Sequence, residues 1–291
     1  MAVTASMVKE LRERTGAGMM ECKKALVETD GDMDSALELL RKTGLAKADK
    51  KASRIAAEGQ VILASNEDNT EAVMVEVNSE TDFAAKDSNF LTFAKAVAAN
   101  ALAEGSTDVE ALMATELDGT SLEVARQALI AKIGENIQVR RIVRMSSNGN
   151  VGAYVHGGRI GVLVELEGGE NEIARDVAMH VAAMNPEFID IDDVPADVLE
   201  KEKQFLISQA ADSGKPADII EKMVSGRMRK HLSAITLLGQ DFVKDGDITV
   251  AKLLEQNGAS VKGFTRLEVG EGIEKKEENF ADEVMQQVKG G

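Results

Sequence analysis

Few residues in this chain could do chemistry, and their spacing argues against most of it. There are three histidines, His156, His180 and His231, and none stands in a His-Glu-x-x-His or His-x-His pattern that would grip a metal. His180 lies beside Val177 and Val181 on one helix face, which reads as a satisfied core histidine, and His231 is read the same way. His156 precedes two glycines at a strand end, an exposed turn where a contact role is open. Cys22 is the sole cysteine, so no internal disulfide or thiolate cluster can form, and its helical face reads as core. No serine sits in Gly-x-Ser-x-Gly, and Gly16-Ala17-Gly18-Met19-Met20 lacks the Lys-Ser/Thr of a phosphate loop. One stretch stands out. Residues 78–87 read NSETDFAAKD, a polar turn with Phe83 set beside the Asp82 carboxylate, in a chain with only 3% aromatic residues. Asp82 and His156 would make an acid–base or metal pair only if they came within hydrogen-bond reach.

That turn is held between an apolar run, 72–77 (AVMVEV), and a helical one, 89–101 (NFLTFAKAVAANA). Before it, residues 1–55 read as three short helices. Thr4 or Ser6 caps the first, with Val8 and Leu11 inward and Gly16 at its end. Gly18 starts the second, carrying Met19, Cys22 and Leu26; Asp32 caps the third, which Thr43-Gly44 closes. The basic tract 47–54 is then a linker or a solvated helix end. From Gly59 the period shortens. GQVILAS and EAVMVEV form a strand pair, followed by the turn, a helix from about Ser88 to Ala103, two helical segments and a strand, NIQVRRIVRM. The order then restarts with VGAYVHGG and RIGVLVEL, a helix ending HVAAM that matches AVAAN in the first unit, and much later GASVKGFTRLEV. This is a degenerate internal duplication. Between Pro186 and the final strand, two apolar stripes broken by Gly214-Lys215-Pro216 predict an inserted helical hairpin. Near the end, Phe280, Val284, Met285 and Val288 predict a terminal amphipathic helix.

The composition narrows the function classes. The 291 residues suffice for two or more domains. The formal charge of −16 repels phosphate backbones, so tight non-specific nucleic-acid binding is not expected. A protein or small-molecule partner is expected instead. The polar N-terminal stretch and the lack of any long apolar run predict neither a signal peptide nor a membrane span, hence a cytoplasmic location.

The segments VKELRERTGAGMMECKKAL, TDFAAKD, KIGENIQVRR, HGGRIGVLV, AMHVAAMNPEF and FTRLEVGEGIEK, spread in order over nearly the whole chain, resemble bacterial elongation factor Ts. That family is the nucleotide exchange factor of elongation factor Tu, the GTPase that delivers aminoacyl-tRNA. The resemblance implies an α+β fold: a ubiquitin-associated-type three-helix domain (1–55), a duplicated core (56–147, then 148–185 with 227–265), a coiled-coil insertion (186–226) and a C-terminal module (266–291). It implies no cofactor, no bound metal and no bond chemistry. Thr81, Asp82, Phe83 and Ala84 match the Thr-Asp-Phe-Val element that disturbs the partner's Mg²⁺ site, with Ala84 departing from the usual Val and packing more weakly. Arg12, Met19, Met20, His156, Gly157, Phe280 and Val284 match partner contacts, though one of the two Met residues could serve mainly as core. The hairpin matches a region that some members use for self-association and others do not, so the resemblance leaves the oligomeric state open. Two other readings compete. A ubiquitin-associated-type adaptor explains residues 1–55 but neither the loop nor the duplicated core. A hydrolase built on Asp82 and His156 needs a contact between two different repeat units.

Overall fold

The structure, a computed structural model, describes residues 3–117, 119–211 and 216–274. Three helices open the chain: α1 (Ala5–Thr15), α2 (Met19–Glu28) and α3 (Met33–Lys51). The Thr4 hydroxyl accepts the Met7 N–H at 3.3 Å, and Gly16 closes α1 at φ +69°. Val8 and Leu11 meet Cys22, Ala25, Leu26 and Ala36 in a small core, as helical spacing requires. Two expectations fail here. Helix α3 does not stop at Thr43-Gly44 but runs on to Lys51. A Cβ at Gly44 would lie 3.5 Å from the Ala131 methyl, and Ala48 is buried in the core of the next unit. Packing against that unit outweighs the roughly 1 kcal/mol that Gly costs a helix. Met19 does not join Cys22 and Leu26 inside.

The first α+β unit comprises β1 (Glu58–Ser65), β2 (Glu71–Ser79), α4 (Asp82–Ala85), α5 (Ser88–Glu104), α6 (Val109–Ala114), β3 (Glu116–Leu117), β4 (Thr120–Ser121), α7 (Leu122–Ile133) and β5 (Ile137–Ser146). The second comprises β6 (Asn150–His156), β7 (Ile160–Gly168), α8 (Asn171–Met184), α9 (Ala196–Ala211), α10 (Ala217–Ile235), β8 (Asp241–Phe242), β9 (Asp245–Thr249), α11 (Val250–Gln256) and β10 (Ala259–Glu268). Each unit builds an antiparallel three-stranded sheet, β1-β2-β5 and β6-β7-β10, with its second strand central. The duplication therefore reaches the topology. It also reaches a detail: β5 carries an extra residue at Arg140 and β10 one at Lys262, each the fourth residue of its strand. This bulge is why NIQVRRIVRM alternates imperfectly.

The two sheets stack between layers of helix. Along β2, Val73, Val75 and Val77 face α5 and meet Phe90, Ala94 and Val97. The alternate residues Ala72 and Met74 turn the other way, onto Val151, Leu163 and Leu267 of the second sheet. In β7, Val162, Val164 and Leu166 face α8. Period-two alternation thus feeds three hydrophobic layers from two sheets. Each fully buried side chain such as Phe90 contributes about 2–3 kcal/mol of transfer free energy. Gly161 marks a close approach between the sheets: a Cβ there would run into a Val61 methyl and the Met74 sulfur.

A buried carboxylate locks the units together. Glu76 is inaccessible in central β2 and accepts hydrogen bonds from Gly270 N–H (2.8 Å), Asn78 (3.0 Å), Arg140 (3.1 Å) and Arg141 (2.5 Å). Arg140 also donates to the Glu271 carbonyl beyond β10, and Arg141 to the carbonyl of Glu268, the last residue of that strand. Burial pushes the Glu76 pKa up, but these donors outweigh it and hold the carboxyl below its ordinary value.

The hairpin α9–α10 closes on Leu206, Ala210 and Val224, whereas Phe205 and Ile219 of the expected stripes are exposed. Its base is tied down by His180, which is buried as expected. His180 Nδ1 accepts the Val243 N–H, and Nε2 bonds Gln240, whose amide reaches the Ala234 carbonyl. His231 is not a core residue. Its ring is about one-third exposed on α10 and lies 3.8 Å from Glu202, because the two-helix arm is too thin to enclose it. No helix among the described residues is long and apolar enough to cross a membrane.

Candidate functional site

After β2 the chain turns through Glu80 and Thr81 into the single turn α4. The Thr81 hydroxyl caps it, accepting the Ala84 N–H at 3.2 Å. Ala84 and Ala85 face inward and are buried, which leaves Phe83 pointing out with 80% of its surface exposed. Phe83 is the most exposed large hydrophobic residue described. Asp82 stands next to it and pairs with Lys86 at 2.6 Å.

The tip is braced on three sides. Behind it, Glu135 takes both the Thr81 N–H (2.9 Å) and the Thr81 hydroxyl (2.7 Å). Glu80 accepts the Asn136 N–H at 2.6 Å, and the Asn136 amide binds the Arg54 carbonyl. At its far end, Asp87 caps α5; hydrogen bonds from the Asn89 side chain and N–H hold its carboxyl below the ordinary value, with help from Lys132. On the third side, the Gln60 amide donates to the Ala85 carbonyl at 3.3 Å.

Gln60 also joins this tip to the second unit. Its side-chain oxygen fills the space a Cβ at Gly158 would need, and the Gly158 carbonyl accepts the Val61 N–H at 2.7 Å. Gly157 and Gly158 adopt φ of +56° and +72°, the central pair of a turn that the Arg159 N–H closes on the His156 carbonyl at 2.9 Å between β6 and β7. His156 is exposed at its head, with Nδ1 3.2 Å from the Tyr154 hydroxyl. The tip at Phe83 and the His156-Gly157 turn therefore share the start of β1. Asp82 and His156 do not form a pair; each has another partner. Among the described residues no group of three or more His, Cys, Asp or Glu could hold a metal ion.

Arg12, Met19 and Met20 lie exposed on α1 and α2, the two methionines at 59% and 65%. Neither Met is core. The helical domain carrying them is attached through α3 and α7, and Lys132 on α7 packs its stem under Gly16 while its ammonium reaches Asn89 at 2.6 Å. Phe280 and Val284 lie outside the described residues. Sequence reasoning missed Glu135, Asn136 and Gln60. KIGENIQVRR was visible as a motif, but a carboxylate that braces a loop 54 positions away leaves no local signal.

An aromatic and a carboxylate stand side by side on a capped turn, an arrangement suited to contacting another molecule. A family model described as Elongation factor TS matches residues 80–271, beginning at this turn. The chain is 63% identical to Elongation factor Ts of Thioalkalivibrio sulfidiphilus over 292 residues and to that of Alkalilimnicola ehrlichii over 291, covering 100% of each. It is 58% identical to that of Halorhodospira halophila over 289 residues, 99% of both chains. The α+β fold, the exposed turn and matches along its full length agree: the chain belongs to the elongation factor Ts family of translation elongation factors.

Proposed function

We propose that this protein is a guanine-nucleotide exchange factor for elongation factor Tu. It binds the GDP-bound and nucleotide-free partner and does no bond chemistry of its own. The observation that carries this is Phe83, exposed on a braced turn beside Asp82. A GTPase holds GDP through Mg²⁺ and backbone N–H groups that let go together. Phe83 acts as an apolar wedge whose burial in a partner pocket is worth about 2–3 kcal/mol. Asp82 brings negative charge toward the metal's water shell. Together they favour a partner conformation with poor Mg²⁺ and phosphate contacts, and by reciprocity GDP weakens the complex by the same factor.

Arg12, Met19 and Met20 form a second contact, and the exposed thioethers suit an adaptable surface. His156 and Gly157 form a third, on the same edge as Phe83. The C-terminal module with Phe280 and Val284 supplies a fourth. In this reading residues 1–55, the two core subdomains (56–147; 148–185 with 227–265), the hairpin insertion (186–226) and the module (266–291) are the working divisions. The acidic protein binds no nucleic acid directly and acts in the cytoplasm.

Stopped-flow release of a fluorescent GDP analogue from elongation factor Tu tests this. Fast release with the wild type and slow release with Asp82→Ala, Phe83→Ala is the expected result. No acceleration by folded wild type would overturn the exchange reading. Equal acceleration by both would move the site toward Met19 and Met20.

A further inference from the structure

Phe83 could not hold its direction by itself. Helix α4 is a single turn, Asp82 and Lys86 pair at its surface, and the Phe83 side chain is 80% exposed. Its direction is set by what holds Thr81, the cap. We infer that Glu135 is the positioning residue of the exchange tip, and that the segment Lys132–Asn136 joins the tip to the helical domain. The inference rests on the exchange reading above.

The geometry is specific. The two Glu135 oxygens divide the work: Oε2 takes the Thr81 N–H at 2.9 Å and Oε1 takes the Thr81 hydroxyl at 2.7 Å. The hydroxyl proton being thus committed, the Thr81 oxygen has its lone pairs free for the Ala84 N–H that closes the turn. One carboxylate therefore fixes both the backbone entry to α4 and the polarity of its cap. The neighbours of Glu135 make related connections. Lys132 reaches Asn89 beside the Asp87 cap and lies under Gly16 of the α1–α2 turn. The Gly134 carbonyl accepts Lys51 from the end of α3 at 2.6 Å, and the Asn136 N–H binds Glu80. Within five residues the chain contacts α3, the α1–α2 turn, the cap of α5 and the exchange tip. The distance between the Met19-Met20 surface and Phe83 is thereby set by the C-terminal end of α7.

Glu135 does not touch the nucleotide partner in this scheme; it acts through Phe83. Removing it in Glu135→Ala should lower the limiting rate of GDP release roughly tenfold, the scale of one lost charge-assisted hydrogen bond. The exchanger concentration giving half-maximal rate should move far less, since the other contacts remain. Glu135→Gln keeps one acceptor for the Thr81 N–H but turns an NH2 toward the hydroxyl, reversing the polarity of that bond, so it should recover only part of the rate. Glu135→Asp, too short to reach both Thr81 atoms, should recover less still. In a Phe83→Ala background, Glu135→Ala should add little further loss.

A second readout does not depend on the partner. The chain has no tryptophan, so Phe83→Trp places the only indole at the tip. Its fluorescence anisotropy in the free, full-length protein should fall when Glu135→Ala is added, under conditions where both proteins are fully folded. Losses from Glu135→Ala and Phe83→Ala that multiply, or an anisotropy indifferent to Glu135, would overturn the inference. If the wild type fails to accelerate release, the exchange reading fails alone, and the anisotropy still decides whether Glu135 holds the tip.

Discussion

The two α+β units have one topology and one bulge but spend their connections differently. In the first unit residues 80–87 separate the central strand from its helix, and they carry α4 and Phe83. In the second only residues 169–170 intervene between β7 and α8. The second unit spends its extra length later, on the arm α9–α10 between α8 and β10. A sheet and a helix need no more than a short turn to pack, so anything longer is free to do something else. The pair shows which parts are scaffold: whatever both copies retain. It shows equally where to look for function, namely in what only one copy has.

The largest expected effect probes that contrast directly. Phe83→Ala should slow nucleotide release roughly 30- to 150-fold, the equivalent of about 2–3 kcal/mol of lost wedge burial. The denaturation midpoint should stay put, since an exposed ring contributes little to the core. Equal losses of stability and activity would erase the distinction between scaffold and insert.

Next comes the lock between the units. Glu76→Ala strands two arginines and the Gly270 N–H, and should destabilise the protein by about 2–4 kcal/mol in chemical denaturation, with the partly exposed arginines softening the loss. Release by the remaining folded protein should be nearly normal. A third test separates the units by pH. His180 has Ala96 as its counterpart in the first unit's AVAAN, so only the second unit carries a buried imidazole there. Burial lowers the His180 pKa below 6.5, with the Gln240 bond offsetting part of this. The unfolded ring then binds protons first, so the stabilisation is complete above pH 6.5 and declines as pH falls below it. Amide exchange along α8 should accelerate in that range before α5 does, and His180→Gln should flatten the difference. The smallest effect should come from Ala84→Val. The position faces inward, so the added methyls should change release by less than about threefold, with stability moving by under about 1.5 kcal/mol.

Much of the scaffold was legible because it is written in local patterns. The Thr4 and Asp32 caps, the strand pairs, the repeated order and the helical hairpin all follow from periodicity and breakers. Phe83 was legible as an aromatic in a polar turn. What escaped depends on distance along the chain. Gly44 looked like a stop because nothing nearby announces Ala131, and β2 lacks alternation because both its faces are covered. The short ladders β3–β4 and β8–β9 are too brief to leave a period. His231 and Met19 have apolar neighbours at core-like spacing, yet the elements carrying them turn those faces to water. The candidate site was visible as residues and invisible as a mechanism, since Glu135 and Gln60 reach it from elsewhere.

The near-contact at Gly161 bears on all of this in mechanical terms. Two sheets pressed together with no room for a single methyl cannot slide or compress much further. Gln60, which holds the turn carrying Phe83, and its neighbour Val61, which meets that glycine, stand on this stiff foundation. When two protein surfaces are forced together, the more compliant one deforms. In the exchange reading proposed above, a tip anchored to so tightly packed a double layer would recoil little, and strain generated at the contact would pass into whatever Phe83 touches.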